Sequence, residues 1–451
     1  MSSVLQSSAL PQSAALRSFA AQWRSRSVDS LSPLRERAMQ RFLELGLPSS
    51  SDETWRYTNL RSLAAQSFVD APHETMGAIE ANTSLSLPDS LSLLDEDARA
   101  ASLLMVNGHP IMPSKDKSIN GIEISSIREI SRLDPRLLRP FLEPLSDADN
   151  ARWALLNTAL FIDGLYLKIT ARVPAPVVIV HVATGDGTNS IAYPRVIIEA
   201  APGSSATIIE HHVAHGERTP LNNSTTHLAL GRDAQLEHYR VFATDAGATH
   251  LDSLDIRQDR DSRCKQFTIV LGGGLVRTTL DAHLNQTGAS LDSNSLLVGH
   301  EDRHVDCVNI VTHGAPDTHS NQTARAIASD ASRVIFNSKV IVNAGAAHAQ
   351  SQQSCRGLLL SPTAEIDTRP QLEIHADEVK CQHGATTGRL DPDMLFYMLS
   401  RGLDRDTAQS LLVYAFMADV LTGMSVASAR AAIENALIAQ LPDSPTLRKF
   451  R

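Results

Sequence analysis

The feature that most constrains the fold is a series of short β-patterned segments between about residue 165 and residue 380. Runs rich in valine and isoleucine stand at 177–180, 196–198, 207–209, 334–336 and 340–342. Small turn elements precede alternating segments and recur at 203–206, 232–234, 288–289 and 330–331, with last residues 28, 55 and 42 positions apart. These separations are near multiples of fourteen and predict a β-solenoid, in which each coil stacks on the next. A jelly roll spaces its strands similarly and stays open as the alternative.

Helical patterns flank this region on both sides. Residues 14–46 place apolar side chains at helical spacing, and Gly46 followed by Pro48 ends that run. Residues 70–100 are polar and rich in serine, which is typical of a linker. Residues 102–150 combine a short strand around Val106 with helix-like pieces, so this region is predicted to be mixed.

Three amphipathic helices are predicted at the end of the chain. Asp391 is a good N-cap with Pro392 at the first helical position, Asp404 precedes a second helix, and Ser425 opens a third that runs to about Gln440. The helices either cap the last coil or offer an apolar face to a partner. The predicted domains are an N-terminal helical and mixed region at 1–150, a β core at 151–388 and a small helical domain at 389–451.

Composition restricts the class of protein. The 451 residues are 42% hydrophobic and 20% charged, as in ordinary globular proteins. The net charge of −9 opposes nucleic acid binding, because phosphate contacts need a concentrated positive field. No apolar run approaches the roughly 18 residues of a membrane-spanning helix.

The cysteines and the N-terminus bear on the compartment. The four cysteines are far apart and form no CxxC motif, which favours a reducing cytosol over a disulfide framework. The first 28 residues contain Arg17, Arg24 and Arg26 and lack acidic residues, a composition weakly similar to an organellar transit segment. A frayed tail that leads into a helix is the preferred interpretation.

Cys381 and His383 are the strongest candidate metal pair. They are two positions apart, so in an extended segment both side chains point to the same face. A thiolate and an imidazole suit iron or zinc, but two ligands cannot complete a tetrahedral site. The other ligands must come from elsewhere in the chain, from another subunit or from the bound species. Glu373 and Asp377 share the parity of this pair unless a turn intervenes.

Two other motifs receive structural interpretations. His211, His212 and His215 resemble a metal patch, but solvated side chains are the preferred interpretation, with His212 on the face opposite the other two. The glycines at 272–274 lack the lysine and helix of a phosphate loop and indicate a tight turn. No motif for ATP hydrolysis is present.

The segment at 368–403 resembles the SufB/SufD family of iron–sulfur cluster assembly proteins, and within it the SufD branch, through the sequence TRPQLEIHADEVKCQHGATTGRLDPDMLFYMLSRGL. Two further stretches, at 53–58 (ETWRYT) and 103–109 (LLMVNGH), are similar to elements of the same branch. Cys355 departs from the family pattern and has no interpretation. The cysteine and glutamate with which the SufB branch builds its cluster are also missing, which puts a self-sufficient scaffold in doubt.

The resemblance implies a right-handed parallel β-helix and a non-catalytic subunit of the SufBCD complex. It implies a SufB-type partner at the solenoid and a SufC-type ABC ATPase at the C-terminal helices, with a homodimer possible in isolation. It also implies His383, and second Cys381, as iron-site residues at the SufB interface, with iron or an iron–sulfur cluster held transiently and no nucleotide bound.

Two other classes of function remain open from the residues. A β-helix enzyme acting on polysaccharide would need aromatic platforms for sugar rings, and aromatic residues are only 4% of the chain. A stand-alone metal-binding module would use the histidine patches.

Overall fold

The computed structural model describes residues 13–72, 99–112, 119–143, 151–185, 187–216 and 220–441, without the side chains of residues 215 and 216. The predicted linker at 70–100 and the first part of the possible transit segment therefore lie largely outside the described residues. Within the described ranges, no helix is long and apolar enough to cross a membrane.

Short helices and strands form the N-terminal part. The helices are α1 (Ala14–Ser25), α2 (Ser32–Leu45), α3 (Arg61–Ala64), α4 (Ile127–Leu133), α5 (Arg139–Leu142) and α6 (Arg152–Leu160), with 3₁₀ turns at Glu53–Trp55 and Pro135–Leu137. The strands are β1 (Val69–Asp70), β2 (Ala101–Val106), β3 (His109–Ile111), β4 (Ile122–Ser126) and β5 (Leu165–Ile169). The helix predicted over 14–46 is thus two helices, separated by residues 26–31.

The β core and the C-terminal helices follow. The strands are β6 (Val177–Gly185), β7 (Ser190–Ala192), β8 (Arg195–Ala200), β9 (Ser205–Gly216), β10 (Leu221–Leu230), β11 (Gln235–Phe242), β12 (Thr249–Gln258), β13 (Arg263–Val270), β14 (Leu275–Leu284), β15 (Ser290–Gly299), β16 (His304–His313), β17 (His319–Ala328), β18 (Arg333–Val342), β19 (Gln350–Leu359), β20 (Glu365–Ile374) and β21 (Lys380–Gly388). The helices are α7 (Pro392–Ser400), α8 (Arg405–Leu421) and α9 (Ala427–Ala439). The two runs predicted at 334–336 and 340–342 belong to the single strand β18.

From β8 onward the chain alternates between two sheets. Sheet A has the order β20-β18-β16-β14-β12-β10-β8-β5-β4, and sheet B the order β21-β19-β17-β15-β13-β11-β9-β6-β2-β3. In sheet B, Arg263 pairs with Ser290 and Ser290 with His319, both in parallel, so these coils are 27 and 29 residues long. Over the described residues, β8 to β21 form seven two-strand coils. The predicted parallel solenoid is confirmed and the jelly roll is excluded, because jelly-roll strands pair antiparallel.

One corner of every coil has a residue with positive φ, two positions before a strand of sheet B. These residues are Gly203, Asp233, Asp261, Gly288, Asp317, His348 and Glu378, with φ between 55° and 77°. Glycine and aspartate adopt this left-handed region more readily than most residues. The separations of 28, 55 and 42 seen in the sequence therefore correspond to about one coil, two coils and one and a half coils.

The interior of the solenoid has two apolar clusters with polar residues between them. The larger cluster joins the inner faces of both sheets through residues such as Ile208, Leu228 and Leu254. The second includes Phe242, at the end of β11, and Phe336, in the first half of β18. Because side chains alternate along a strand, the other face of each sheet is left for the flanking helices to cover.

The flanking helices bury the outer faces. On sheet A, a cluster that includes Phe19, Phe42 and Trp153 packs against strand residues such as Leu251. On sheet B, α8 and α9 pack against the outer face through residues such as Met417. The predicted caps are present at the first two C-terminal helices, where Asp391 accepts from the Asp393 N–H and Asp404 from the Thr407 N–H.

Candidate functional site at the open end of the solenoid

Cys381 and His383 lie on β21, the last strand of sheet B. Their register partners on β19 are Ser351 and Gln353. The strand is extended, so the two side chains share one face, as the sequence predicts. That face is the inner one, because Cys381 packs against the aliphatic interior of the solenoid. No strand covers β21 on its other side within the described residues. The pair therefore lies at an open end.

The two side chains differ in environment. Cys381 is half-buried, and burial is the main cause that raises the pKa of its thiol, partly offset by the Ser351 backbone N–H. A raised pKa keeps the free thiol protonated, and a bound metal would remove that proton. His383 is exposed. The site thus pairs a protected thiol with an accessible imidazole.

Glu373 and Asp377 do not join this pair. Glu373 lies on β20, where its carboxylate contacts Lys339 Nζ at 2.6 Å and His375 Nε2 at 2.9 Å. The hydrogen bond from Lys339, followed by that from His375, lowers the pKa of Glu373 to about 2. Asp377 lies in the corner between β20 and β21. That corner breaks the shared parity, so no acidic ligand accompanies Cys381 from these two positions.

The two terminal strands present different free edges. On β21 the Lys380 N–H donates to the Ala349 carbonyl, so by alternation the N–H groups of Cys381 and His383 point away from β19. On β20 the His375 N–H donates to Val342, which places the position of Pro370 on the free side. Proline has no N–H, so the free edge of β20 lacks a donor there. β21 is the better template for an added strand.

The 53–58 motif is a structural clamp on the outer face of sheet A. Trp55 lies under the Arg277 guanidinium, 3.7 Å from its ring centroid, and the Thr58 hydroxyl is 2.9 Å from His304 Nε2. Glu53 forms an ion pair with Arg369 on the terminal strand β20. The motif thus connects the N-terminal region to three different coils, including the last one.

A ladder of polar side chains leads along the interior to His383. Register pairing aligns His238, Gln266, Ser293, Gln322, Gln353 and His383 on successive strands of sheet B. Ser338 of sheet A donates to Gln322 at 2.8 Å and accepts from Gln353 Nε2 at 2.8 Å. These hydrogen bonds offset the cost of placing polar groups in a core. His383 is the end of this ladder.

The expectation of solvated histidines at 211 and 212 is wrong. His211 and His212 are only 2% and 3% exposed, because β9 is covered on both faces. His212 stacks on His181 with 4.3 Å between ring centroids, and His181 Nε2 lies 2.8 Å from the Glu210 carboxylate. His215 has no described side chain. The sequence signal that was missed is the spacing of His181, Glu210 and His238 by 29 and 28 residues, about one coil each.

Two other sequence features have plain structural roles. Cys355 is buried, and burial raises the pKa of its thiol to about 12, so it is a core residue. The glycine run at 272–274 is the predicted turn, between β13 and β14. A Cβ on Gly272 would stand 2.2 Å from the Thr244 carbonyl oxygen, which explains the absence of a side chain there.

Helix α7 packs on α8 with half-buried side chains and leaves other apolar side chains exposed. None of its side chains is buried, and Phe396 is 72% exposed, with Met394 and Tyr397 also exposed. By contrast, α8 buries Val413 and Met417 against the outer face of sheet B. An exposed apolar helix next to a packed one is typical of an interaction surface.

Comparison with known proteins identifies the family. The family model for the SufBD core domain of the SUF system of iron–sulfur cluster assembly matches residues 181–416, and the model for the SufBD N-terminal region matches residues 16–179. This chain belongs to the SufBD family. The family takes part in iron–sulfur cluster assembly, so this chain also has a role in iron–sulfur cluster assembly.

Similar proteins occur in several bacteria. The iron–sulfur cluster assembly protein SufD of Escherichia coli is 29% identical over 394 residues, which are 86% of this chain and 88% of that protein. A SufBD family protein of Synechocystis is 28% identical over 400 residues, 85% of each chain. SufD of Bacillus subtilis is 23% identical over 404 residues, 88% of this chain and 90% of that protein. Within the SufBD family, the chain is SufD-like.

Proposed function

We propose that this chain is a non-catalytic subunit of an iron–sulfur cluster assembly scaffold. It pairs with a SufB-type subunit at the open end of its solenoid and binds a SufC-type ABC ATPase through its C-terminal helices. The observation behind the proposal is the placement of Cys381 and His383 on the inner face of the terminal strand β21. Two ligands are too few for a tetrahedral site, so the second subunit supplies the rest.

Iron or an iron–sulfur cluster is the cargo of this site, held transiently and shared with the partner. His383 is the first candidate ligand because its imidazole is accessible, and Cys381 is the second because its thiol is partly covered. Neutral imidazole and thiolate are ligands that suit iron. Nucleotide binding is assigned to the ATPase subunit, since the glycine run of this chain is a turn.

Strand addition is the proposed mode of pairing with the SufB-type subunit. The free edge of β21 has outward N–H groups at Cys381 and His383, next to the candidate ligands. An unpaired edge of this kind is a template for pairing with another chain. Pairing would therefore bring the partner's ligands to the same place. An isolated chain would use the same edge to form a homodimer.

The ATPase is proposed to dock on α7. Its exposed Met394, Phe396 and Tyr397 form an apolar face that the other described residues leave uncovered. Closure of two ATPase subunits on binding ATP would move the subunit interface and expose the ligands. The four cysteines are free thiols, which agrees with the reducing cytosol proposed as the compartment.

Co-expression with SufB-type and SufC-type partners tests the proposal. We expect a stable complex of one copy of this chain, one SufB-type subunit and two ATPase subunits in native mass measurements. His383→Ala should leave this complex intact and lower its iron–sulfur absorbance after reconstitution. Gln382→Ala, which changes the adjacent outward side chain, is the matched control. A chain that purifies alone in the presence of both partners would contradict the subunit proposal, and full cluster content in His383→Ala would contradict the site.

A further inference from the structure

A carboxylate is buried in the first coils, and no lysine or arginine of the described residues forms a hydrogen bond with it. Glu210 on β9 is 0% exposed, and its side-chain hydrogen-bond partners are His181, His238 and Thr226. A buried carboxylate needs a compensating positive charge, because its transfer from water is costly. Here that charge must come from an imidazolium or from a bound cation.

The side chains around Glu210 are arranged like metal ligands, with further residues that hydrogen-bond to those ligands. His181 Nε2 is 2.8 Å from Glu210 Oε2, and His238 Nε2 is 2.8 Å from Oε1. The Thr226 hydroxyl donates to Oε1 at 2.9 Å. Ligand atoms of His181, Glu210 and His212 all lie within 4.8 Å of one another.

His212 gives the second, independent observation. It is 3% exposed, stacks between the rings of His181 and Phe242, and its Nε2 has no hydrogen-bond partner in the part of the chain that the structure describes. A neutral imidazole with an unpaired buried nitrogen is the form that binds a metal.

We propose that His181, Glu210 and His212 bind a divalent transition metal, Zn²⁺ or Fe²⁺. Two imidazoles and one carboxylate suit both ions. The metal takes the place of the proton between His181 Nε2 and Glu210 Oε2. That proton leaves to solvent if the ring is an imidazolium and moves to Nδ1 if the ring is neutral. His238 and Thr226 hold the other carboxylate oxygen in the way that outer partners orient metal ligands.

The site is separate from the Cys381 and His383 pair. His238 and His383 are register-equivalent on strands that are five inter-strand steps apart, which is about 24 Å at ~4.8 Å per step. Metal held by one site can therefore be distinguished from metal held by the other through substitutions. This inference does not depend on the partners proposed above.

Metal analysis of the full-length chain tests the inference. All samples have the Cys381→Ser and His383→Ala substitutions, which remove the other candidate site. One sample is purified without chelator. Others are refolded with Zn²⁺, or with Fe²⁺ under anaerobic conditions. We expect about one metal ion per chain after desalting, and the relative retention of Zn²⁺ and Fe²⁺ identifies the preferred ion. His212→Phe keeps a ring in the stack and should remove the metal. His250→Phe, at a buried histidine beside His212 but outside the ligand set, should retain it.

Two measurements keep the test valid if His212→Phe does not fold. His238→Leu should weaken metal binding by about 10–100-fold, and His238→Gln, which can still donate to Glu210, should restore most of it. Co²⁺ in the unsubstituted chain should give visible d–d bands without thiolate charge transfer. The inference would be overturned if the chain bound neither Zn²⁺ nor Fe²⁺, or if His212→Phe bound as much metal as the chain that keeps His212 does. It would also be overturned if metal were lost only when Cys381 and His383 are substituted.

Discussion

At the scale of single residues, His313 shows how a buried imidazole makes stability depend on pH. Its Nδ1 is 2.8 Å from the Thr318 hydroxyl and its Nε2 is 2.8 Å from the Ser320 hydroxyl. Burial, with a smaller contribution from His319, lowers the pKa of His313 to about 4. Between about pH 4 and pH 6.5 the unfolded chain therefore binds a proton that the folded chain does not.

The expected consequence is a loss of stability as the pH falls through this window. Stability rises with pH wherever the unfolded state binds more protons, so His313 should lower the free energy of unfolding by about 2 kcal/mol between pH 7.5 and pH 5. His313→Gln keeps hydrogen-bonding groups and should reduce the pH dependence by that amount. Urea unfolding of both chains at the two pH values measures it, and an unchanged pH dependence in the variant would rule out this role.

The buried pair of Arg277 and Asp306 gives a second prediction at this scale. Both side chains are 1% exposed, and Arg277 also donates to the Thr54 carbonyl at 3.0 Å. Arg277→Met leaves Asp306 as an uncompensated buried charge and should cost about 3–5 kcal/mol. Arg37→Met breaks the exposed pair with Glu143 and should cost less than about 1 kcal/mol. Thermal unfolding of the two variants compares them, and equal losses would contradict the clamp interpretation.

At the scale of elements, a substitution in α7 can distinguish an effect on partner binding from an effect on the stability of the fold. Phe396 is 72% exposed, so Phe396→Ser should change the free energy of unfolding by no more than about 0.5 kcal/mol. The same change should abolish capture of the SufC-type ATPase if α7 is its docking helix. Leu137→Ser, at an exposed leucine in the N-terminal region, is the control that should keep capture. Pull-down of the ATPase by each variant measures this, and full capture by Phe396→Ser would reject α7 as the docking helix.

At the scale of the whole molecule, the solenoid is a stack that is covered on its sides and open at its last coil. The outer face of sheet A is covered by N-terminal helices and that of sheet B by α8 and α9. The terminal strands β20 and β21 have mostly half-buried or exposed residues. Stability of such a stack depends on contacts between neighbouring coils, so the uncovered last coil is where another subunit gains most contact.

The edge of β21 can be tested directly. By alternation from Lys380, the N–H of Ala385 points to the free side, so Ala385→Pro removes a donor that no described residue uses. We expect a folded chain that no longer pairs with a SufB-type subunit or with itself. Ala385→Ser keeps the N–H and should pair normally. Analytical ultracentrifugation with and without the partner distinguishes them, and normal pairing by the proline variant would exclude the edge of β21.

Features that depend on local periodicity are predictable from the amino-acid sequence alone. Strand alternation placed Cys381 and His383 on one face, the spacing of turn elements predicted a coiled β core, and capping residues marked the C-terminal helices. Each of these follows from backbone geometry over a few residues, so no knowledge of distant contacts was needed.

Contacts between residues that are distant in the sequence become visible in the folded chain. The corner between β20 and β21 separates Glu373 from Cys381. Glu53 forms an ion pair with Arg369, which follows it by 316 positions. In the interior, His212 lies beside His181 and Glu210. The physical reason is that such contacts depend on the register of successive coils. Coil lengths vary by several residues, so the register is fixed by the stacking of whole strands and cannot be read from local patterns.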